Sequence, residues 1–365
     1  MRHPLLMLPR PIDAFVLSEQ ARYLIGAGSG KGALPGRVPY GALVRAPAAA
    51  RPVLAATIAR AIARRRPADW TPEQTVLVAY HAIQWPVAER LMERGFASEL
   101  WYSRWDRYEA AHDAGAARHE LLAAWHHALA ARSSLTFAVS GALADLETVA
   151  GREAIVVPNS ADGFPDGPLE PGGRGAELVA QVAAVVAAGP RPAAHEPVAV
   201  SLGHLGRRTD WAWLRGAAER IPELRLLLIG SWYDDEVGSD ADYQWLRRAP
   251  QVAWLGRLSD ADAAAVIAQA DVGLIPFTVD PFNDCGLPNR ILKYARLGRR
   301  TISPTLKGSK TWEHAMTWAD GASALAAALR DSAGRRATPD LELRAWALEQ
   351  TAAKMNAPLL ERLRA

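Results

Sequence analysis

Short apolar runs alternate with helical stretches in the second half of the chain, and this alternation restricts the fold more than any other feature. Val198–Leu202, Leu224–Ile229 and Val252–Leu255 have the length and composition of buried strands. Stretches such as Trp211–Arg220 and Asp260–Ala270 lie between or after them and have the length of helices. Strands that alternate with helices in this way predict a doubly wound parallel sheet in an α/β protein.

The first half of the chain has the same alternation. Its predicted strands are residues 3–8, Thr75–Tyr80, Glu99–Ser103, Leu135–Ser140 and Ala154–Asn159. A stretch rich in proline and glycine around one Ala/Val helix then separates the two halves, which is a linker composition. The sequence therefore predicts a first domain at 1–165, a linker at 166–196, a second domain at 197–340 and a C-terminal helix at 341–365.

The stretch Asp280–Ser303 is expected to carry a ligand site. It follows the apolar run Val272–Phe277 as a polar loop with Gly and Pro, and a helix begins near Asn289. In an open α/β sheet, ligands bind outside the carboxyl ends of the strands, where a helix N-terminus offers unpaired N–H groups to an anion. We therefore predict that this loop binds a phosphate-bearing ligand.

A family resemblance lies in the same residues. Gly286–Gly298, with the sequence G-L-P-N-R-I-L-K-Y-A-R-L-G, resembles the G-L-P-N-K-L-x-E-Y-x-A-x-G stretch of GT-B glycosyltransferases, particularly the retaining family-4-like group. Val157–Asp162 is similar to the family's V-P-N-G stretch and its acidic residue, with Ser160 in place of the Gly. The resemblance implies two Rossmann-like, doubly wound domains that face each other across a cleft. It also implies a UDP or GDP sugar as co-substrate, held mainly by the C-terminal domain, and no obligatory metal or other cofactor.

The resemblance implies an enzyme that moves a sugar from a nucleotide-diphosphate donor to a hydroxyl acceptor, with retention. Bacterial cell-surface polysaccharide or a glycosylated metabolite is the expected product, and a glycan, a lipid-linked precursor and a small molecule stay open as acceptors. One alternative is a degenerate transferase that acts as a binding or assembly subunit. Lys293 favours this alternative, because the family has at that place a Glu that bonds the ribose hydroxyls, and a Lys ammonium cannot accept hydrogen bonds.

Candidate donor-binding residues follow from strand ends and from the resemblance. Arg207 and Arg208 come after the first strand of the second domain, where the family places a basic side chain at the donor pyrophosphate. The planar fork of an arginine suits phosphate oxygens. Arg290 matches the family Lys that follows Pro-Asn. Asn289 is expected to contact the donor or, alternatively, to cap the helix. Asp284 is expected to contact the donor or, alternatively, to lie in an ordinary polar loop. The full expected set is Gly203, Arg207, Arg208, Gly230, Arg257, Leu258, Asn283, Asp284, Asn289, Arg290 and Lys293.

Asp106 and His81 are the candidate catalytic residues on the acceptor side. They stand at the ends of neighbouring predicted strands. Asp106 and Tyr108 resemble the family's Y-D-x-x-D-D-Y segment, in which Ser103 and Arg107 here replace two acids. Either candidate is expected to accept the proton of an acceptor hydroxyl or to position that hydroxyl. A purely structural role is the alternative for His81.

Two acidic pairs have the D-x-D spacing of a metal-binding motif. Such a motif has to follow a strand, so that both carboxylates reach a metal and a diphosphate. Asp260-Ala-Asp262 instead follows Ser259 at a predicted helix start, where acidic side chains interact favourably with the helix dipole. Asp240-Ala-Asp242 is expected in a surface loop. The sequence therefore predicts no metal site.

The composition and charge of the chain limit the classes of partner and the cellular compartment that we expect. The single cysteine, Cys285, excludes an internal disulfide and a Cys-based zinc site, so we expect the reducing cytoplasm. A net charge of +3 fits anionic substrates or a membrane surface and is too small to indicate nucleic acid. The basic end of a predicted helix at 48–66 leaves peripheral membrane contact open beside a solvated surface. The glycine-rich loop Gly26–Gly41 lacks the spacing of a nucleotide-binding P-loop.

Overall fold

The computed structural model describes residues 2–26, 38–111, 116–167, 173–187 and 196–365. These residues form two compact units, each built on one parallel sheet. The first unit comprises Met1–Ser160, Asp284–Leu287 and Thr351–Ala365, and the second comprises Ala161–Asn283 and Pro288–Gln350. Most of the glycine-rich loop lies outside the described residues, as do the stretches on either side of the helix in the predicted linker.

The sheet of the first unit has five parallel strands in the order β1-β2-β3-β4-β5. Their bounds are β1 His3–Met7, β2 Thr75–Ala79, β3 Glu99–Arg104, β4 Leu135–Ala138 and β5 Ala154–Val156. All residues of β1, β2 and β4 are buried. Continuous apolar runs become strands here because both faces of such a sheet are covered.

Among the described residues before Ser160, six α-helices accompany this sheet. They are α1 Ser18–Ile25, α2 Gly41–Arg45, α3 Arg51–Ala63, α4 Trp85–Glu93, α5 Ala116–Arg132 and α6 Gly141–Val149. The predicted helix at 48–66 is shorter in the structure, because a 3₁₀ turn at Ala48–Ala50 precedes α3. Ile58 and Ile62 of α3 and Val87 of α4 pack with the strand residue Leu77 in one apolar core. Burial of these side chains is the main force that holds helices on a sheet.

The second sheet has six parallel strands in the order β11-β10-β9-β6-β7-β8. Their bounds are β6 Val198–Leu202, β7 Arg225–Ile229, β8 Val252–Gly256, β9 Val272–Leu274, β10 Thr301–Ser303 and β11 Met316–Trp318. The strand order runs one way from β6 to β8 and the other way from β9 to β11. The neighbours β6 and β9 are therefore the topological switch point of this doubly wound sheet, which is where ligands bind in such folds.

Within the part of the second unit that the structure describes, there are eight α-helices. They are α7 Gly173–Ala187, α8 Trp211–Arg220, α9 Asp234–Val237, α10 Ala241–Arg248, α11 Asp260–Ala268, α12 Arg290–Ala295, α13 Ala322–Ser332 and α14 Leu341–Glu349. The surface loop expected at Asp240-Ala-Asp242 is wrong, because these residues begin α10. The Asp240 side chain accepts hydrogen bonds from the backbone N–H groups of Asp242 and Tyr243, at 2.9 Å each, and so caps this helix. Helix α11 begins at Asp260 as predicted, and the Ser259 hydroxyl caps it by accepting the N–H of Asp262.

The predicted C-terminal helix is interrupted. Beyond α14, a last helix α15 occupies Ala352–Arg364. Gln350 has non-helical backbone angles, and the Thr351 hydroxyl accepts the N–H of Lys354 at 3.2 Å, which starts the new helix. Helix α14 lies in the second unit and α15 in the first.

Candidate functional site

Three glycines lie at the ends of three neighbouring strands of the second unit. Gly203, Gly230 and Gly256 follow or close β6, β7 and β8, and all have positive φ, 136°, 142° and 68°. The Gly203 N–H donates to the Ile229 carbonyl and the Gly230 N–H to the Gly256 carbonyl, each at 2.8 Å. A Cβ on Gly230 would lie 1.7 Å from the Gly203 carbonyl oxygen. The three residues thus form a floor of bare backbone, here called the glycine floor, at the carboxyl edge of the sheet.

Arg290, the first residue of α12, lies against the glycine floor. A Cβ on Gly203 would be 2.4 Å from a terminal nitrogen of its guanidinium. The guanidinium carbon lies 5.0 Å from the ring centroid of Phe277. Burial lowers the pKa of Arg290; the neighbouring Tyr294 opposes this, and the positive charge of Arg208 adds to it. Since an arginine stays protonated in proteins, two positive charges are held close together here and will attract an anion.

Arg208 is fixed between two aromatic rings. Its guanidinium carbon lies 4.7 Å from the centroids of both Phe277 and Phe282. Its Nε donates to Oδ1 of Asn283 at 2.7 Å. The Asn283 side chain is buried, and its Nδ2 donates to the Thr278 carbonyl at 3.0 Å. The structure thus brings together five of the predicted donor residues, which are Gly203, Arg208, Gly230, Asn283 and Arg290.

Tyr294 joins the two strands of the switch point, and sequence reasoning missed it. Its hydroxyl accepts the Leu202 N–H at 2.8 Å and donates to the Leu274 carbonyl at 3.3 Å, which connects β6 to β9. The fully buried ring packs on Gly273, where a Cβ would be 2.1 Å from it. A lone Gly within the apolar run before the loop was the available signal, because such a glycine often marks a close approach.

Arg207 and Arg257 lie at the same edge of the sheet and are exposed. The backbone N–H of Arg207 donates to Oε2 of Glu236 at 3.0 Å, and Nε2 of His204 is 3.1 Å from the same oxygen. Leu258 is half-buried beside Arg257. Donor contacts by Arg207, Arg257 and Leu258 stay predictions.

Lys293 makes two defined contacts. Its Nζ lies 2.7 Å from Oδ1 of Asp260 and 4.7 Å from the ring centroid of Phe164. The family resemblance did not predict this ion pair. Asp260 is at the start of α11, so a carboxylate stands directly beside the ammonium.

Asn289 and Asp284 have different surroundings from those expected. The Asn289 side chain makes no capping hydrogen bond, and within the described part of the chain its Oδ1 is buried without a hydrogen-bond partner. The capping alternative is therefore wrong, because the backbone at Asn289 is already helical. Asp284 belongs to the segment Asp284–Leu287 of the first unit, where the Ser140 hydroxyl donates to the Cys285 carbonyl at 2.5 Å.

His81 and the segment after β3 lie together in the first unit. The His81 ring packs on Tyr108 at a tilt of 39°, with centroids 4.2 Å apart, and Asp106 is buried in the same segment. Nδ1 of His81 accepts the Ile83 N–H at 3.1 Å, so in the neutral ring the proton is on Nε2. Burial, helped by the positive charges of Arg10 and Arg118, lowers the pKa of His81 to about 3. This tautomer is suited to positioning a hydroxyl by donation rather than to accepting its proton.

The depressed pKa of His81 predicts an acid-sensitive first unit. The pKa of His81 is about 3 in the folded state and roughly 6.5 in the unfolded state. The unfolded state therefore binds more protons below pH 6.5, and the contribution of the neutral His81 to stability is fully present only above that pH. This stability is lost as the pH falls from 6.5 toward 3, by up to about 1.4 kcal/mol per pH unit. His81→Asn keeps an acceptor for the Ile83 N–H and does not titrate. Urea unfolding at pH 7 and pH 5 should show a smaller loss for this variant than for the wild type, and equal losses would contradict the prediction.

A buried ionic cluster supports the segment after β3, and it too was missed from the sequence. Arg104 closes β3 and pairs with Glu147 of α6 and with Glu109. His126 of α5 has Nε2 3.6 Å from Glu147 and Nδ1 3.1 Å from the Tyr102 hydroxyl. Because a buried charge is costly without a partner, this cluster favours one arrangement of the strand, the two helices and the segment between them.

Solved structures share the architecture of this chain. Its structure is similar to that of Anabaena HepE in complex with UDP-glucose, with a TM-score of 0.68 and 16% identity over 100% of this chain and 99% of HepE. Sucrose-phosphate synthase from Thermosynechococcus elongatus gives a TM-score of 0.70 and 16% identity over 99% and 98% of the two chains. Trehalose-6-phosphate synthase from Burkholderia multivorans gives a TM-score of 0.64 and 11% identity, over 100% of this chain and 96% of the synthase. With its two parallel sheets, the chain has the GT-B fold, which confirms the predicted fold.

Sequence comparison gives a shorter match. The chain is 23% identical over 105 residues to TuaH of Bacillus subtilis, which is named as a teichuronic acid biosynthesis glycosyltransferase. The match covers 29% of this chain and 26% of TuaH, so the chain spans about a quarter of the length of this relative. No family model matches the sequence.

Proposed function

We propose that this chain is a glycosyltransferase that moves a sugar from a nucleotide-diphosphate donor to a hydroxyl acceptor. The observation that carries the proposal is the pair Arg208 and Arg290, held on the ring of Phe277 beside the glycine floor at the switch between β6 and β9. Ligands of doubly wound sheets bind at such a switch, and arginine forks bind phosphate oxygens in pairs. HepE, which has the same fold, is solved with UDP and with UDP-glucose, which supports UDP as the donor nucleotide.

In the proposed reaction, the bond between the anomeric carbon and the phosphate oxygen breaks, and the acceptor oxygen bonds to that carbon. Arg208 and Arg290 stabilise the negative charge that builds on the leaving diphosphate, and such electrostatic stabilisation is usually the largest contribution to catalysis. Asp106 is our candidate to take the acceptor proton, and the Nε2–H of His81 our candidate to position the hydroxyl. Retention and metal independence are part of the proposal. Turnover unchanged by EDTA and NMR of the product anomer would check them.

Nucleotide binding is the first test of this function. UDP should raise the thermal midpoint in a concentration-dependent way, and a ligand at a hundred times its Kd stabilises by about 2.7 kcal/mol. Uridine lacks the phosphates and should have little effect. UDP release from UDP-sugars in the presence of acceptors then tests turnover. If UDP, GDP and ADP all leave the thermal midpoint unchanged, the proposal is refuted.

A second candidate function keeps the fold without catalysis, as a binding or assembly subunit. The observation that favours it is Lys293, because its ammonium is engaged by Asp260 and Phe164 and supplies no acceptor at that place in the family stretch. This function requires a partner chain. A second protein that co-purifies with the chain, together with nucleotide binding but no turnover, would support it, and turnover by the chain alone would exclude it.

A charge swap tests whether Lys293 contacts the donor. Lys293→Glu places a second carboxylate beside Asp260 and should lower the free energy of unfolding by about 1 kcal/mol. The double variant with Lys293→Glu and Asp260→Lys, called the swapped protein, restores the ion pair with its charges exchanged. If Lys293 binds the donor, the swapped protein is stable but its UDP affinity changes; if the role is structural, affinity stays within about twofold of wild type. Asp262→Lys is the matched control for a new positive charge at the start of α11. Swapped and wild-type proteins are compared by urea unfolding and calorimetric titration.

We also propose a role in cell-surface polysaccharide synthesis, supported by the name of TuaH. Glycan, lipid-linked and small-molecule acceptors are all compatible with it. Among the described residues, no helix has the length and hydropathy to cross a bilayer. Helix α3 and its C-terminal end expose Arg60, Arg64 and Arg65, which makes peripheral contact with an anionic membrane our hypothesis.

Flotation with anionic liposomes tests this membrane contact. We expect binding at low salt that disappears at high salt, because screening weakens surface electrostatics, and weaker binding after substitution of Arg60, Arg64 and Arg65 by Gln. Liposomes of neutral lipid are the control. Flotation that persists at high salt, or that fails at every salt concentration, would contradict electrostatic docking.

A further inference from the structure

Two phenylalanines surround the arginines of the candidate donor site. Phe277 is buried, with the guanidinium carbons of Arg208 and Arg290 at 4.7 Å and 5.0 Å from its ring centroid. Phe282 is half-buried, with Arg208 at 4.7 Å. The face of an aromatic ring is electron-rich and attracts a cation within about 6 Å of its centroid. Three cation–π contacts therefore act on two neighbouring guanidiniums.

These contacts counter two effects that would disorder the site. Like charges repel, and a long arginine side chain loses rotamer freedom when it is held in one orientation. Arg208 is held by the rings of Phe277 and Phe282, each with its centroid 4.7 Å from the guanidinium carbon, and by its hydrogen bond to Asn283. Arg290 lies near the ring of Phe277 and also against the bare backbone of Gly203. Both guanidiniums are thus ordered before a ligand arrives.

We infer that Phe277 and Phe282 are positioning residues, whose ring faces hold Arg208 and Arg290 ready for the two phosphates of a nucleoside diphosphate. This inference rests on the proposed function, because it names how the donor site is organised. Neither ring contributes a hydrogen bond, so their effect on a ligand passes through the arginines. A group that is ordered before binding loses less freedom on binding, and affinity gains by that amount.

The test changes the electron density of the ring without changing its shape appreciably. Phe282 is replaced in the full chain by mono-, di- and trifluorophenylalanine, and the Kd of UDP and of inorganic pyrophosphate is measured by calorimetry. Each fluorine withdraws electron density from the ring face and weakens the cation–π contact. We expect the Kd of both probes to rise steadily along the series, by roughly two- to fivefold in total. Phe282→Tyr should stay near wild type, because its ring face remains electron-rich.

A matched control comes from the first unit, where Arg66 lies 4.9 Å from the ring centroid of Phe96. The same fluorinated series at Phe96 should leave the Kd of UDP unchanged. If the protein binds UDP but the Kd of UDP does not change along the fluorinated series at Phe282, the positioning role is overturned and the proposed function is left intact. A loss of affinity that matches a fall in the thermal midpoint of the ligand-free protein would overturn it as well, since the ring would then serve stability. Wild-type protein that binds neither UDP nor pyrophosphate would overturn both proposals.

Discussion

Gly230→Ala should abolish nucleotide binding and destabilise the second unit by about 3–5 kcal/mol, from backbone strain and overpacking together. The new Cβ would lie 1.7 Å from the Gly203 carbonyl oxygen, and a backbone atom cannot rotate away as a side chain does. Gly230 also has a φ of 142°, which residues with a side chain rarely adopt. Relief requires movement of Gly203, against which Arg290 is packed. We therefore expect at least about a hundredfold loss of UDP affinity, because a misplaced arginine forfeits a charge-assisted contact.

Gly321→Ala is the control for this substitution. Gly321 has a φ of 82° with no neighbouring atom within 4 Å of the added Cβ, so it experiences backbone strain without the clash. It should lose stability and keep the affinity for UDP. Urea unfolding and calorimetric titration of both variants separate the two effects. UDP affinity within about twofold of wild type in Gly230→Ala would show that the glycine floor is not part of the nucleotide site.

Arg290→Gln should weaken UDP binding by roughly ten- to a hundredfold, since a hydrogen bond to a charged group contributes about 1.5–3 kcal/mol. Without ligand, the same variant should unfold at higher urea concentration, because the substitution removes a charge that burial and Arg208 both disfavour. Arg290→Lys keeps the charge but not the planar fork, and we expect an intermediate affinity. A gain in stability combined with a loss of binding is the result expected of a residue placed for its ligand.

Arg207→Gln provides the comparison for Arg290. Arg207 is exposed, so solvent screens its charge, and its loss should weaken UDP binding by less than about threefold. Equal losses for the two substitutions would mean that the site attracts its ligand through general positive charge. An unchanged UDP affinity in Arg290→Gln would remove the main support for the proposed function.

The sequence predicted the elements whose signal is local. The predictions of β2 and β6 were correct because both are continuous apolar runs, and that of α11 was correct because a helical stretch with acidic residues at its start lies between two apolar runs. Strand β11 was missed, since three residues with a polar centre give no periodicity. The surface loop predicted at Asp240-Ala-Asp242 is the start of helix α10, because the Asp240 side chain caps the helix.

Within the candidate site, strand ends and the family stretch led to Arg208 and Arg290, and the structure brings both to one ring. No sequence pattern indicated that Lys293 pairs with Asp260, 33 residues away, or that the Tyr294 hydroxyl accepts the backbone N–H of Leu202. Such contacts depend on which strands become neighbours, and that information lies in the tertiary fold rather than in any local pattern.

The contact between Gly273 and Tyr294 also restricts how this sequence can change over evolutionary time. The ring occupies the space that a side chain at position 273 would need, and its hydroxyl connects β6 to β9. Any substitution at position 273 is therefore harmful until Tyr294 has become smaller, whereas a smaller residue at position 294 leaves a cavity that a side chain at position 273 can then fill. The two positions are epistatic, with a fixed order of viable steps, so related chains that have a side chain at position 273 should also have a smaller residue at position 294.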